Sequence, residues 1–428
     1  MRHGVLRLSQ NEPMKTPLIA LLAIAVFLET QACTGQKISD NRTVTEQPRD
    51  RVLNVPVLKP VEFPPTEKLD QSIDRGIAFL LKVQNKNGSW GSATRTKGIN
   101  IYAPVPGAHH AFRTAVTAMC VSALIGTSSD QKNVEQSIDR GAKWMFDWVP
   151  KLRRATPDTI YNTWGHIYSI QALVRLHGLR FTDNEKKQRI RGLITSQIEM
   201  LERFESIDGG WGYYDFRIGA KKPSSSSLSF VSAAALVALH KAKTLGVHAS
   251  HKVVERALAS IKRQQKPDFS YLYGEYLKWQ PMLGINRPGG SLGRSQACNI
   301  ALRLWNDETI TDDVLKMWLN RLFARNGWLN IGRKRPIPHE SWFQVAGYFY
   351  YFGHYYAALC LEQLNPADRP TFQAHLAVLM LKRQEKDGSW WDYPLYNYHQ
   401  QYGTALALMT LYRCQQPSAK LIRSPQRK

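Results

Sequence analysis

Arg75-Gly76-Ile77-Ala78-Phe79-Leu80-Leu81-Lys82-Val83-Gln84-Asn85-Lys86-Asn87-Gly88-Ser89-Trp90 is the stretch from which the rest of the chain can be read. Its approach, Ile73-Asp74-Arg75-Gly76, recurs as Ile138-Asp139-Arg140-Gly141. Its end, Gln84-x3-Gly88-Ser89-Trp90, recurs as Gln384-x3-Gly388-Ser389-Trp390. Gly209-Gly210-Trp211 repeats the Gly-Trp end, and Asn326-Gly327-Trp328 is a more degenerate copy. A fixed period signals a repeat architecture in which each unit buries its apolar face against the next.

Aligned on these strings, six first helices start near 72, 137, 189, 253, 314 and 372. Six second helices are expected at 109–126, 162–178, 226–245, 294–306, 345–364 and 400–415. The first set is amphipathic, with Lys and Arg on one side, as in Ile190–Arg203. The second set is apolar nearly all round, as in Ala233–Leu239, and such a helix is a buried one. The expectation is therefore an all-α fold, an (α/α)6 toroid of six outer/inner helix pairs closing on itself without an unprotected end. Gly88 and Gly388 are expected to end outer helices in a left-handed conformation. Trp90, Trp211, Trp328 and Trp390 are expected to cover helix ends, each indole N–H aimed at a free carbonyl.

The Arg-Gly-x2-Phe-Leu-x3-Gln-x3-Gly-x-Trp string at 75–90 resembles the Gln-Trp repeat of squalene cyclases, and the likeness runs over 67–416. The wider group includes protein prenyltransferase β-subunits, and the resemblance implies the α/α toroid. It does not carry the group's chemistry across, because fold does not give function. The Asp-x-Asp-Asp acid of triterpene cyclases is missing; Thr311-Asp312-Asp313, the nearest string, reads as a helix cap with first-turn charge. The length allows one toroid, where those cyclases use two. Gly289-Gly290-Ser291-Leu292-Gly293-Arg294 resembles the segment before the prenyltransferase zinc ligands, but Ile300 and Leu302 stand where Asp and Cys are expected. His354 alone matches a zinc ligand, so no metal site and no cofactor are expected. Cys298, with Cys120, Cys360 and Cys414 on other inner helices, reads as a small buried hydrophobe.

In such a ring the outer-to-inner loops and the inner-helix starts share one face. Catalytic candidates there are Asp215, Glu275, His166 and His354. Ligand-binding candidates are His110, Arg113, Asn162, Trp164, Tyr213, Tyr273, Arg294, Tyr351, Asp392 and His399. Three readings stand. In one, an isoprenoid-like apolar ligand sits among aromatic faces that stabilise positive charge, with Asp215 or Glu275 as an acid whose pKa is raised by burial. In another, Tyr or His acts as base and acid on an acidic polysaccharide, with Arg294 or Asn162 neutralising the carboxylate. In the third, the ring is a binding scaffold without chemistry. A closed apolar cavity favours the first, an open basic groove the second, and a filled centre the third.

The 428 residues carry 57 Lys+Arg against 34 Asp+Glu, with 12 Trp and 18 Tyr. A balance of +23 would concentrate polyanions, but no nucleic-acid motif accompanies it. Leu18–Leu28 is an apolar run too short to span a bilayer, followed by Ala32-Cys33. Residues 1–33 therefore read as a signal peptide resembling bacterial lipoprotein leaders, with Cys33 the lipidated residue. Residues 34–66, rich in Pro, read as a disordered tether and 417–428 as a basic tail. The expected product is an exported, membrane-anchored monomer on the periplasmic side, or a secreted one, whose partner is a small apolar or glycan ligand.

Overall fold

Six apolar helices stand side by side and close a ring in the computed structural model, which describes residues 55–98, 106–127, 132–152, 161–179, 183–213, 222–223, 227–339 and 344–415. They are α2 (Pro106–Ile125), α4 (Asn162–Leu179), α6 (Ser229–Lys243), α8 (Leu292–Leu304), α11 (Phe349–Gln363) and α13 (His399–Leu411). Each packs on the next, and α13 packs back on α2. Outside them lie α1 (Thr66–Lys82), α3 (Lys132–Trp148), α5 (Asn184–Arg203), α7 (His251–Arg263), α9 (Asp312–Ala324) and α12 (Arg369–Arg383). Every outer helix rests on the inner helix of the preceding repeat: α3 on α2, α5 on α4, α7 on α6, α9 on α8, α12 on α11 and α1 on α13. This is the all-α toroid that the repeats imply. The burial matches the composition, since α6 is buried from Ser229 to Leu239, while α7 buries only Val254, Ala257, Ser260 and Ile261. No described helix is long and apolar enough to cross a membrane.

The outer helices begin two to six residues earlier than the apolar period suggests, because their first turns are polar and solvent-facing. Two of those turns are capped: Asp183 accepts from the Glu185 amide and Thr311 from the Val314 amide.

The motif is a stapled turn between repeats. Trp90, Trp211 and Trp390 donate their indole N–H to the carbonyls of Leu80, Leu201 and Met380, at 2.9, 2.8 and 2.8 Å. Each acceptor lies in the last turn of the outer helix, where carbonyls lack a helical partner. Gly388 is left-handed (φ +88°), but five residues beyond the end of α12, so it shapes the turn and does not cap the helix. A Cβ there would lie 2.5 Å from the Arg75 carbonyl oxygen. Gln384 completes the seam, donating to the Ser72 carbonyl at 2.8 Å and accepting from the Ser72 hydroxyl at 2.9 Å. Gly76 leaves room for the incoming tryptophan, since a Cβ there would lie 2.7 Å from Trp390 Cζ3. The last repeat thereby locks onto the first.

One copy was misplaced by sequence pattern. Asn326-Gly327-Trp328 lies in an extra short helix, α10 (Asn326–Ile331), and forms no such turn. The turn occurs at 265–271 instead, where the Lys266 amide donates to the Ser270 carbonyl as Asn85 does to Ser89 and Glu385 to Ser389. There Phe269 takes the left-handed position (φ 58°) and Tyr271 replaces the tryptophan.

Candidate functional site

The ring encloses an open-mouthed cavity of about 120 Å3. Its wall comes from five inner helices. α2 supplies Phe112, Ala115, Val116 and Met119, a helical stripe one turn apart. α4 supplies Trp164 and Tyr168, α6 Phe230, α11 Phe349 and Phe352, and α13 Tyr402 and Leu406. Loop residues Tyr161, Tyr213, Tyr348 and Leu395 close the rim. The rings pack edge to face: Phe230 and Phe349 have centroids 5.0 Å apart at 81°, and Tyr161 and Tyr213 5.0 Å apart at 64°.

Of the candidates read from sequence, Trp164 and Tyr213 line this cavity. Asp392 stands one hydrogen bond behind it. The Tyr402 hydroxyl donates to Asp392 Oδ1 at 2.5 Å, and the Tyr351 amide donates to Oδ2 at 3.0 Å. Burial pushes the Asp392 carboxyl up to about 6, against the pull of those two hydrogen bonds. Tyr273 lies behind Tyr348, their hydroxyls 3.4 Å apart.

The other candidates face elsewhere. Glu275 is held by Arg263, whose Nε lies 2.5 Å from Oε1, beside the outer helix α7; it does not line the cavity. His166 turns outward to Gln197 of α5, 2.7 Å away, and burial pushes it down to about 4. His354 also turns outward. Its Nδ1 donates to the Tyr350 carbonyl at 2.6 Å, and its Nε2 accepts from Asn326 Nδ2 at 2.8 Å. Arg294 is fully buried and spends its guanidinium on the carbonyls of Tyr271, Ile285 and Gly290. It therefore holds the loop before α8, with all three guanidinium nitrogens turned to the backbone. His110 meets the Trp148 carbonyl at 3.2 Å, and Arg113 hydrogen-bonds Tyr398. His399 bonds the Tyr396 carbonyl at 2.7 Å, and Asn162 is buried at the start of α4. Asp215 and Cys33 lie outside the described residues.

Sequence reasoning sought residues at the helix starts and so found Trp164 and Tyr213 but missed most of the wall. Its signal was present in Phe112, Val116 and Met119, and in Phe349 and Phe352, aromatics and long apolar residues at three- and four-residue spacing. Tyr402 was missed because a tyrosine on an apolar helix looks like core; its partner Asp392 is ten residues upstream, across a loop.

A family profile described as the squalene-hopene cyclase C-terminal domain matches residues 49–277. No curated protein matches the chain. Among solved structures, an inactive variant of the α-1,6-mannanase GH76A of Salegentibacter sp. HEL1_6, in complex with α-1,6-mannotriose, is similar over 81% of this chain and 99% of that one, at 10% identity and TM-score 0.51. The type II terpene cyclase MstE from Scytonema is similar over 82% and 98%, at 16% identity and TM-score 0.43. At 10% identity the likeness to the mannanase speaks to the toroid and not to what it binds. The profile match spans more than half of the chain, across the stapled turns of the first and third repeats, and the chain belongs to the squalene-hopene cyclase C-terminal domain family.

Proposed function

We propose that the central cavity binds an isoprenoid-like apolar ligand and that Tyr402, backed by Asp392, exchanges a proton with it. The observation that supports this is the cavity wall. Every residue on it is aromatic or aliphatic apart from Met119, and none is charged. An apolar concave site with few convergent polar groups is how small-molecule pockets are built. The ring faces suit a ligand on which positive charge develops. A carboxyl titrating near 6 can hold or release a proton at neutral pH, and Tyr402 is the side chain through which that proton reaches the cavity. The acidic-polysaccharide reading loses support at Arg294, whose three nitrogens each bond a backbone carbonyl, and keeps only Asn162 of its two carboxylate partners.

The test is mass spectrometry of small molecules released from the intact purified protein. A polyprenoid or other long apolar molecule is expected, lost when Phe230→Ala and Phe349→Ala open the wall. A bound oligosaccharide in its place overturns the reading. Export and anchoring belong to the same proposal: residues 1–33 as signal and Cys33 as the lipidated residue. Metabolic labelling with palmitate should mark the wild-type chain and not Cys33→Ser.

A further inference from the structure

The inner helices carry a second set of polar groups, on their C-terminal halves and away from the cavity wall. Arg175 is near the end of α4, Lys241 is in the last turn of α6, and Arg413 lies two residues past α13. All three approach Tyr355 of α11, which is buried. Lys241 Nζ lies 2.9 Å from Gln171 Oε1 and 3.3 Å from the Tyr355 hydroxyl. That hydroxyl donates to Gln171 Oε1 at 3.2 Å. The Arg413 guanidinium lies 5.7 Å from the centre of the Tyr355 ring.

Cations at helix C-termini ordinarily serve the free carbonyls there. Arg413 does so in part, donating to the Met409 carbonyl at 2.7 Å. Lys241 does not, since its partners are the side-chain oxygens of Gln171 and Tyr355. Arg175 has no hydrogen bond or ion pair to any described residue, and its Nε is buried without an acceptor. Glu362 is paired with Arg413 at 2.8 Å and half exposed, so one carboxylate faces three cations. Such an excess in a partly desolvated place is costly unless an anion completes it. The field is visible at Tyr355 itself. Burial pushes its hydroxyl up, as it does for the neighbouring Tyr356 and Tyr412, but Lys241, Arg413 and Arg175 pull it below its ordinary value.

We infer that this end of the ring is an oxyanion site, in which Arg175, Lys241 and Arg413 hold a phosphate group with the Tyr355 hydroxyl as a further donor. Two guanidinium groups and an ammonium match a doubly charged tetrahedral anion better than a carboxylate. Arg175, Lys241, Arg413 and Tyr355 do not line the cavity, and the test does not depend on what the cavity binds.

The test is calorimetric titration of the full-length protein with inorganic phosphate, and separately with acetate, at constant ionic strength. One saturable phosphate site is expected, with acetate weaker. Arg175→Gln and Lys241→Gln should each raise Kd at least tenfold, while Lys143→Gln, on the exposed face of α3, leaves it unchanged. If Arg175→Gln does not fold by circular dichroism, Lys241→Gln decides. Absence of a saturable phosphate site, or wild-type affinity in the folded variants, overturns the inference.

Discussion

Tyr402 stands between Asp392 and the cavity: its hydroxyl donates to Asp392 Oδ1 at 2.5 Å while its side chain forms part of the wall. The hydrogen bond favours the ionised carboxylate, and burial opposes it. Removing the hydroxyl with Tyr402→Phe should therefore raise the Asp392 pKa further. A hydrogen bond to a charged group contributes about 1.5 kcal/mol, which corresponds to a rise of about one pH unit. Carbon-13 NMR titration of the aspartate carboxyls reads this directly, with a wild-type midpoint near 6. An unchanged or lower midpoint in the variant would show that the two residues are not coupled.

Acid should weaken the fold below pH 6.5. Burial holds His166, His354 and His399 down to about 4, whereas an unfolded chain protonates histidine near 6.5. Between those values the unfolded state binds protons that the folded state refuses, so stability falls as pH drops from 6.5 toward 4. Each histidine accounts for up to about 3 kcal/mol. Asp392 acts in the opposite direction over nearly the same interval: its raised pKa makes ionisation a cost above pH 6, and protonation relieves it. The three histidines outweigh the one carboxyl. Urea unfolding at pH 7 and pH 4.5 should show the loss, and His354→Gln should shrink it. For His354 the chemistry is explicit, because a proton on Nε2 would face the donor Asn326 Nδ2.

The ring was legible because its evidence is periodic. Gln84, Gly88 and Trp90 recur with their spacing intact at 384–390, and the alternation of charged and apolar helices sorts outer from inner. The copy at 265–271 was hidden because two substitutions fall on the two most diagnostic positions, Phe269 for glycine and Tyr271 for tryptophan, while the hydrogen-bonded turn survives. The site was less legible for a different reason. Buried polar residues such as His166, His354 and Arg294 look functional in a sequence, yet each is consumed by a partner across a helix interface or on the backbone. Those partners lie 31, 28 and 23 residues away, and nothing local to the sequence announces them.

The glycines of the seam divide into those that are required and those that are not. Gly388→Ala places a Cβ in a left-handed conformation and against the Arg75 carbonyl oxygen, 2.5 Å away. Backbone oxygen cannot move aside as a flexible side chain would, so the loss should be at least about 2 kcal/mol. Gly192→Ala is the contrast. Gly192 is exposed within α5 with nothing within 4 Å of its added Cβ, so alanine should stabilise by about 0.5–1 kcal/mol through helix propensity. Urea unfolding of the two variants should move in opposite directions.

Arg294 offers a test of whether a buried cation here is structural. Burial pushes its guanidinium down to about 10, and the rings of Tyr273 and Phe349 lie 5.8 and 5.9 Å from it. Its donors meet three carbonyls, from Tyr271 in the stapled turn and from Ile285 and Gly290 in the loop before α8. Arg294→Met keeps much of the volume but strands three buried acceptors. At about 1–3 kcal/mol for each, the variant should lose at least about 3 kcal/mol. Arg294→Lys keeps a charge but not the planar fork, so it should fall between. Because the carbonyls tie down the 275–291 segment, limited proteolysis should cut that segment faster in the Met variant than in the wild type. Equal cleavage with unchanged stability would show that Arg294 does not hold the loop and would return it to the ligand-binding candidates.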